Sequence, residues 1–194
     1  MRITTFSLAA ISLVVTVGFM LLIENSLRDL PNQNFQATEE TMVDMANVLA
    51  AAVEHGARDG AVDVAMLRSA LPKALERKIH ALIFDLEKET VTSHVHVTDA
   101  KGIVIFDSDG GRLEGTDLSK YNDVRLTLQG QYGARSSRLN DDDEMSSVIH
   151  VAAPIRQGDQ IIGALVVRKA KLDQWRFIET QRNNVIISSA LIGF

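Results

Sequence analysis

The chain has 194 residues, with 25 acidic and 20 basic side chains, a formal net charge of −5 and no cysteine. Without cysteine, the sequence excludes a disulfide framework, a thiol nucleophile and a thiolate metal site. Because the charge balance is acidic, the chain is a poor candidate for binding nucleic acid, and we expect no nucleic-acid partner.

A charge-free apolar segment occupies residues 3–23. Its length matches the roughly 20 residues that a helix needs to cross the hydrocarbon core of a bilayer. No small-residue cleavage site follows it, so we expect a retained anchor in place of a cleaved secretory signal. Arg2, which precedes the segment, favours a cytoplasmic N-terminus under the positive-inside tendency. The sequence therefore predicts transmembrane helix 1 at residues 1–23, with the segment that follows lying outside the inner membrane.

Residues 185–194 are again free of charge. A helix of this length is too short to cross a bilayer, so we interpret it as the start of a truncated transmembrane helix 2. Residues 24–184 would then form one extracytoplasmic domain, large enough to bury its own core. We expect the output activity to lie beyond the second span, and the sequence predicts neither catalytic residues nor a cofactor within this chain.

The first half of the predicted domain has a helical pattern. Pro31 predicts a break or kink below the membrane, and a second helix is predicted at residues 64–78, with Pro72 inside it. Between them, an apolar stripe recurs at helical spacing: Met42, Met45, Leu49 and Val53. The stripe could pack on the sheet of its own domain or on a second subunit, and we favour a partly shared role in a parallel homodimer, because it is too short for an independent coiled coil.

The second half has β patterning. Residues 94–97 and 103–106 predict a hairpin around a turn at residues 99–102. The other predicted elements are a short helix within 119–129, a strand at 133–139, a second hairpin of strands 146–155 and 160–168, and an exit helix from Lys171. This order predicts an α+β fold with a long N-terminal helix, an antiparallel sheet and a C-terminal exit helix, flanked by transmembrane helices. It resembles a PAS-like or CACHE sensor domain.

Three sequence stretches carry a more specific resemblance: residues 121–136, residues 146–155 followed by Leu165 and Val167, and the hairpin at 97–108. They are similar to the sensor region of CreC-type two-component histidine kinases. The resemblance implies a bacterial inner-membrane protein with its sensor domain in the periplasm. It also implies a response regulator as partner of a kinase region absent from this chain, and a link to carbon metabolism and β-lactamase expression.

One polar set is suited to an anionic small molecule, because it combines guanidinium groups with hydrogen-bonding side chains. Its members are Tyr121, Arg125, Tyr132, Arg135 and His150. The alternative is structural: Arg135 would pair with a local carboxylate such as Asp123, and the tyrosine rings would belong partly to the core.

Three histidines form another candidate set. His94 and His96 are predicted on one face of a strand, and His150 lies on a later strand. They could bind a metal ion or respond to pH, but ordinary histidines of a sheet surface fit as well. We therefore predict no metal site.

Two acidic segments are predicted to be a loop and a turn, without a bound ion. Residues 141–144 are predicted to be a solvated loop. Residues 107–111 begin like a calcium loop, but Gly111 stands where an acidic ligand is required and Glu114 comes too early to close the site. We therefore predict a turn around Gly110 and Gly111.

The leading hypothesis is the signal-sensing region of a membrane-bound histidine kinase that detects a small anionic molecule or cell-wall and β-lactam stress. One alternative is a membrane-anchored module that senses a protein partner and binds no small molecule. Another is the sensor part of a chemoreceptor or cyclase.

Overall fold

The computed structural model describes residues 2–83, 86–138, 140, 142 and 146–170. Two compact units are distinguished, one formed by Met1–Ala37 with Trp175–Phe194 and the other by Thr38–Gln174. The fold below is that of the second unit. Its described residues include the C-terminal part of the first helix, two further helices and seven strands.

The first helix, α1, spans Arg2–Glu54 and continues through Pro31, where the sequence predicted a break or kink. A helix can pass through proline at the cost of one backbone hydrogen bond and some distortion. The second helix, α2, spans Val64–Leu75 and begins at Asp63, whose carboxylate accepts a hydrogen bond from the backbone N–H of Met66. The third, α3, spans Asn122–Leu128.

The strands form two antiparallel sheets. A separate hairpin consists of β1 (Lys78–Ile83) and β2 (Leu86–Thr90). The main sheet has the order β4-β3-β7-β6-β5. Its strands are β3 (His94–Asp99), β4 (Val104–Asp107), β5 (Gly133–Arg138), β6 (Ser147–Gln157) and β7 (Gln160–Ala170). The predicted α+β fold with an antiparallel sheet is confirmed.

The two faces of the main sheet pack against different helices. One face, which carries Val95, Val151 and Val167, forms the larger core with Met42, Val53 and other buried side chains of α1. Leu67 of α2 joins the same core. The other face forms a smaller core in which Val124 of α3 packs with Val104, Leu118, Ala152 and Val166.

The apolar stripe of α1 therefore packs within its own domain. Met42 and Val53 are buried, while Met45 and Leu49 are partly buried against the same core. The proposed sharing of this stripe in a homodimer stays a prediction.

Some predictions concern segments that the structure describes only in part. No helix in the described part of the chain is long and apolar enough to cross a bilayer. The span at residues 1–23 stays a prediction. The exit helix from Lys171 and the span at residues 185–194 lie outside the described residues, as does most of the acidic loop at 141–144.

Gly133, at the start of β5, sets how closely α3 approaches the sheet. A Cβ atom at this position would overlap the backbone carbonyl oxygen of Asp123 and the hydroxyl of Thr127, both on α3. We expect Gly133→Ala to lower the free energy of unfolding by about 3 kcal/mol, because neither the helix nor the strand can yield without repacking. Thermal unfolding of the full chain, followed by circular dichroism, measures the loss.

Gly158→Ala is the control for this prediction. Gly158 has a positive φ of 60°, but a Cβ atom there would meet nothing within 4 Å. Its replacement should cost only the backbone strain of about 1 kcal/mol. Equal losses in the two variants would contradict the close approach of α3.

Candidate functional site

The strand register brings a row of charged and imidazole side chains together on the α3 face of the sheet. Arg168 of β7 lies opposite His94 of β3 on one side and His150 of β6 on the other. His150 in turn lies opposite Arg135 of β5. Because directly paired residues project to the same face, these side chains form one rung across four strands.

Helix α3 adds a carboxylate above this rung. Asp123, in the first turn of α3, is fully buried, and its Oδ1 atom accepts a hydrogen bond from Nε of Arg135 at 3.0 Å. Its Oδ2 atom has no hydrogen-bond partner among the described residues and lies 3.8 Å from Nδ1 of His150. The ion pair therefore uses one carboxylate oxygen and leaves the second unbonded.

The contacts of His150 fix its tautomer. Nη2 of Arg135 lies 3.1 Å from Nδ1 of His150, and because a guanidinium can only donate, Nδ1 must accept. The proton is then on Nε2, which donates to the hydroxyl of Ser137 at 2.9 Å. Burial, followed by the positive charges of Arg135 and Arg168, lowers the pKa of His150 to about 3. His150 is therefore neutral at physiological pH.

His96, on the next rung of β3, is also neutral. It is completely buried, and neither of its ring nitrogens has a hydrogen-bond partner among the described residues. Burial, and then the charge of Arg168, lowers the pKa of His96 to about 3. Its ring centroid lies 6.4 Å from that of His150, so the two imidazoles are neighbours on one face.

Arg168 is anchored from the β4 side of the sheet. Its Nη2 atom donates to Oδ1 of Asp107 at 3.2 Å and lies 3.4 Å from Oδ2 of Asp109. Its Nε has no hydrogen-bond partner in the described part of the chain. Asp107 also accepts from the backbone N–H groups of Asp109 and Leu113, so this acidic segment organises its own loop. The polar cluster, as the set is called below, consists of His96, Asp123, Arg135, His150 and Arg168.

The structure brings three of the five predicted ligand-binding residues together. Arg135 and His150 belong to the polar cluster, and the ring of Tyr121 lies beneath the guanidinium of Arg135, 4.5 Å from the Cζ atom to the ring centroid. Arg125 is exposed and donates to the side-chain oxygen of Asn122. Tyr132 donates to the Glu39 carboxylate of α1.

Three members of the polar cluster were not singled out as ligand-binding residues from the sequence. Asp123 was considered only as the structural partner of Arg135, and that pairing is present. Arg168 was assigned only to a strand, and because it stands beside Lys169 after the apolar run of β7, no sequence signal marked it as buried. His96 was considered only for metal or pH. It is buried, and so is not a histidine of the sheet surface.

The candidate metal ligands of the sequence can be compared with the described residues. Among the described residues, no group of three or more His, Asp or Glu side chains could hold a metal ion. His94 is exposed on its strand. Gly110 and Gly111 both have positive φ, as the predicted turn requires.

Comparison with solved structures identifies the class of fold. The sensor domain of the histidine kinase DctB from V. cholerae matches with a TM-score of 0.52 and 13% identity, over 81% of this chain and 60% of that one. The ligand-binding domain of the Campylobacter jejuni chemoreceptor Tlp3, solved in complex with L-valine, matches with a TM-score of 0.54 and 12% identity, over 84% and 65%. The fold is therefore that of a PAS-like or CACHE sensor domain.

Sequence comparison identifies the relative. Sensor protein CreC of Escherichia coli strain K12 is 38% identical over 157 residues, which make up 81% of this chain. The resemblance to CreC-type sensor proteins is therefore confirmed as homology. The chain spans about a third of the length of that protein, 33%. No family model matches the chain.

The two buried histidines predict an acid-sensitive domain. Their pKa values of about 3 in the folded state lie below the ordinary value of 6.5, so the unfolded chain binds more protons between these values. The free energy of unfolding therefore has its full value above pH 6.5 and decreases as the pH falls towards 3, because protons bind preferentially to the unfolded chain. From pH 7.5 to 5.5, the free energy of unfolding should fall by about 1 kcal/mol for each histidine.

Thermal unfolding of the full chain across this pH range measures the effect. The double variant His96→Gln with His150→Gln should have a much shallower pH dependence. His80→Gln, which replaces an exposed histidine of β1, should keep the wild-type dependence. An unchanged slope in the double variant would show that these two imidazoles do not titrate on unfolding.

Proposed function

We propose that this chain is the extracytoplasmic sensing region of a membrane-bound two-component histidine kinase. Homology to sensor protein CreC supports this proposal, and so does the sensor-domain fold. The kinase region would belong to a part of the protein beyond this chain, and a response regulator would be the partner of that region. The predicted spans would hold the protein in the bacterial inner membrane, with the described domain in the periplasm.

The signal in this proposal is a small anionic molecule that binds at the polar cluster beneath α3. The observation that carries it is the position of Arg135. Its guanidinium lies between the Tyr121 ring, Nδ1 of His150 and the Asp123 carboxylate, and its side chain is 19% exposed. A partly accessible arginine held on several sides is suited to recognising a carboxylate or phosphate.

Arg168 and the neutral histidines add to the suitability of this site. Nε of Arg168 and the ring nitrogens of His96 are buried polar groups without partners in the described part of the chain. A buried group that lacks a partner is costly, so a ligand that bonds to it gains free energy. Cell-wall fragments and β-lactams both carry carboxylates, so direct binding of either class is compatible with the proposed site.

The sheet supplies a path from the site to α1. Residues alternate along a strand, so β6 and β7 carry His150 and Arg168 on the α3 face and Val151 and Val167 on the α1 face. We propose that a ligand favours one of two packings of the domain. It can bias that equilibrium only by the difference between its affinities for the two states.

A second candidate function is supported by the internal ion pair. Because Asp123 already compensates Arg135, the polar cluster could be purely structural, and the domain would then sense a protein partner. A homodimer is compatible with either function. The similar fold of a chemoreceptor domain keeps a chemoreceptor or cyclase as an alternative, because the fold of a sensor domain does not specify which output domain follows it.

A thermal-shift screen of the full chain in detergent tests the small-molecule proposal. The library contains organic acids, sugar phosphates, cell-wall fragments and β-lactams. A ligand at a hundred times its dissociation constant should stabilise the domain by roughly 2.7 kcal/mol. Arg135→Ala should abolish the shift, because the guanidinium provides the charge that recognises the anion.

Arg125→Ala is the matched control, since it removes an exposed arginine whose side chain donates to Asn122 on the same helix. It should leave the shift unchanged. Absence of a shift across the library would favour the protein-partner function. A shift that survives Arg135→Ala would contradict binding at Arg135.

A further inference from the structure

The Asp123–Arg135 ion pair is a weak version of the contact that an anionic ligand would make. Asp123 accepts from Nε of Arg135 through one oxygen only, and its Oδ2 atom is unbonded among the described residues. A free carboxylate or phosphate can approach a guanidinium with two parallel hydrogen bonds, which are stronger than one. An external anion could therefore bind Arg135 better than Asp123 does.

Arg135 would keep its position without Asp123. Its guanidinium stacks on the Tyr121 ring and donates to His150, which Ser137 holds through its other ring nitrogen. The contact with His150 lies within the sheet, between β5 and β6, whereas Tyr121 is the N-cap residue of α3. The anion-binding group is therefore preorganised, and only the carboxylate has to leave.

Asp123 is carried by an element that can yield. Helix α3 has only seven residues, and the side chain of its N-cap residue, Tyr121, makes no capping hydrogen bond. Helices of this length are not stable alone, so α3 depends on its tertiary contacts. Those contacts are the small core around Val124 and the ion pair of Asp123.

We propose that Asp123 is a built-in competitor for the anion site, so that a carboxylate- or phosphate-bearing ligand binds Arg135 by displacing Asp123 and loosens α3 from the sheet. This inference rests on the proposed function, because it assigns to the same site the way in which binding is converted into a change of structure. It makes α3 the element whose attachment differs between the empty and the bound domain.

Chemical rescue tests this inference without knowledge of the natural ligand. In the full chain, Asp123→Ala leaves the charge of Arg135 uncompensated and should lower the Tm by several degrees. Sodium acetate should then raise the Tm of the variant in a saturable manner, while sodium chloride at equal ionic strength should not. Adding Arg135→Gln to Asp123→Ala should remove the acetate effect. If Asp123→Ala does not fold, Asp123→Ser provides the same test with a smaller perturbation.

Amide hydrogen exchange distinguishes a competitor from a merely structural partner. In Asp123→Ala, the amides of Asn122–Leu128 should exchange faster than in the wild type, and they should stay fast when acetate restores the Tm. Two results would overturn the inference: no acetate-specific rescue of a folded variant, or a return of α3 to wild-type exchange rates in acetate.

The two proposals can fail separately. A library compound that stabilises the wild type through Arg135, combined with no acetate rescue, would retain the sensor function and reject Asp123 as competitor. Acetate rescue without any library hit would support the competitor and count against the small-molecule signal.

Discussion

A carboxylate and a guanidinium buried between α3 and the main sheet are the interaction on which this domain depends. Asp123 is fully buried and the Arg135 side chain is only partly exposed, so burying the carboxylate without the guanidinium would be expensive. Gly133 lets α3 approach closely enough for the pair to form. The pair then fixes the neutral tautomer of His150, because the same guanidinium donates to Nδ1. The charge pair thus holds α3 on the sheet, and its guanidinium adds to the effect of burial in keeping His150 neutral.

The two faces of the main sheet differ in composition. Its α1 face is an apolar core of valine, leucine and isoleucine, which gives a rigid attachment to the long helix. Its α3 face combines a small apolar core with charged side chains whose hydrogen-bonding capacity is not filled among the described residues. Unfilled polar groups reduce stability, and sites that do so are common where a protein binds something.

Most of the main sheet and α3 could be predicted from the sequence, because period-two patterning and glycine turns are local signals. The turn at residues 99–102 is an example: Gly102 has a φ of 86°, and Asp99 accepts from the N–H groups of Lys101 and Ile103. The hairpin of β1 and β2 was missed, since β2 is mostly charged and the polar–apolar alternation of β1 is limited to residues 78–81. The site was only partly predictable. Tyr121, Arg135 and His150 lie together, as predicted. Tyr132 directly precedes β5 and donates to Glu39 of α1, and the sequence alone did not reveal on which side of the sheet it would lie. Arg168 joins them only through the register of β6 and β7.

The most direct test of the account is a double-mutant cycle between Asp123 and Arg135. Asp123→Asn, Arg135→Gln and the double variant of the full chain are compared with the wild type by their free energies of unfolding. If the buried pair holds α3 on the sheet, the two substitutions should be coupled by about 2 kcal/mol, with the double variant less destabilised than the sum of the single ones. Additive losses would contradict the account, because they would mean that Asp123 and Arg135 contribute independently.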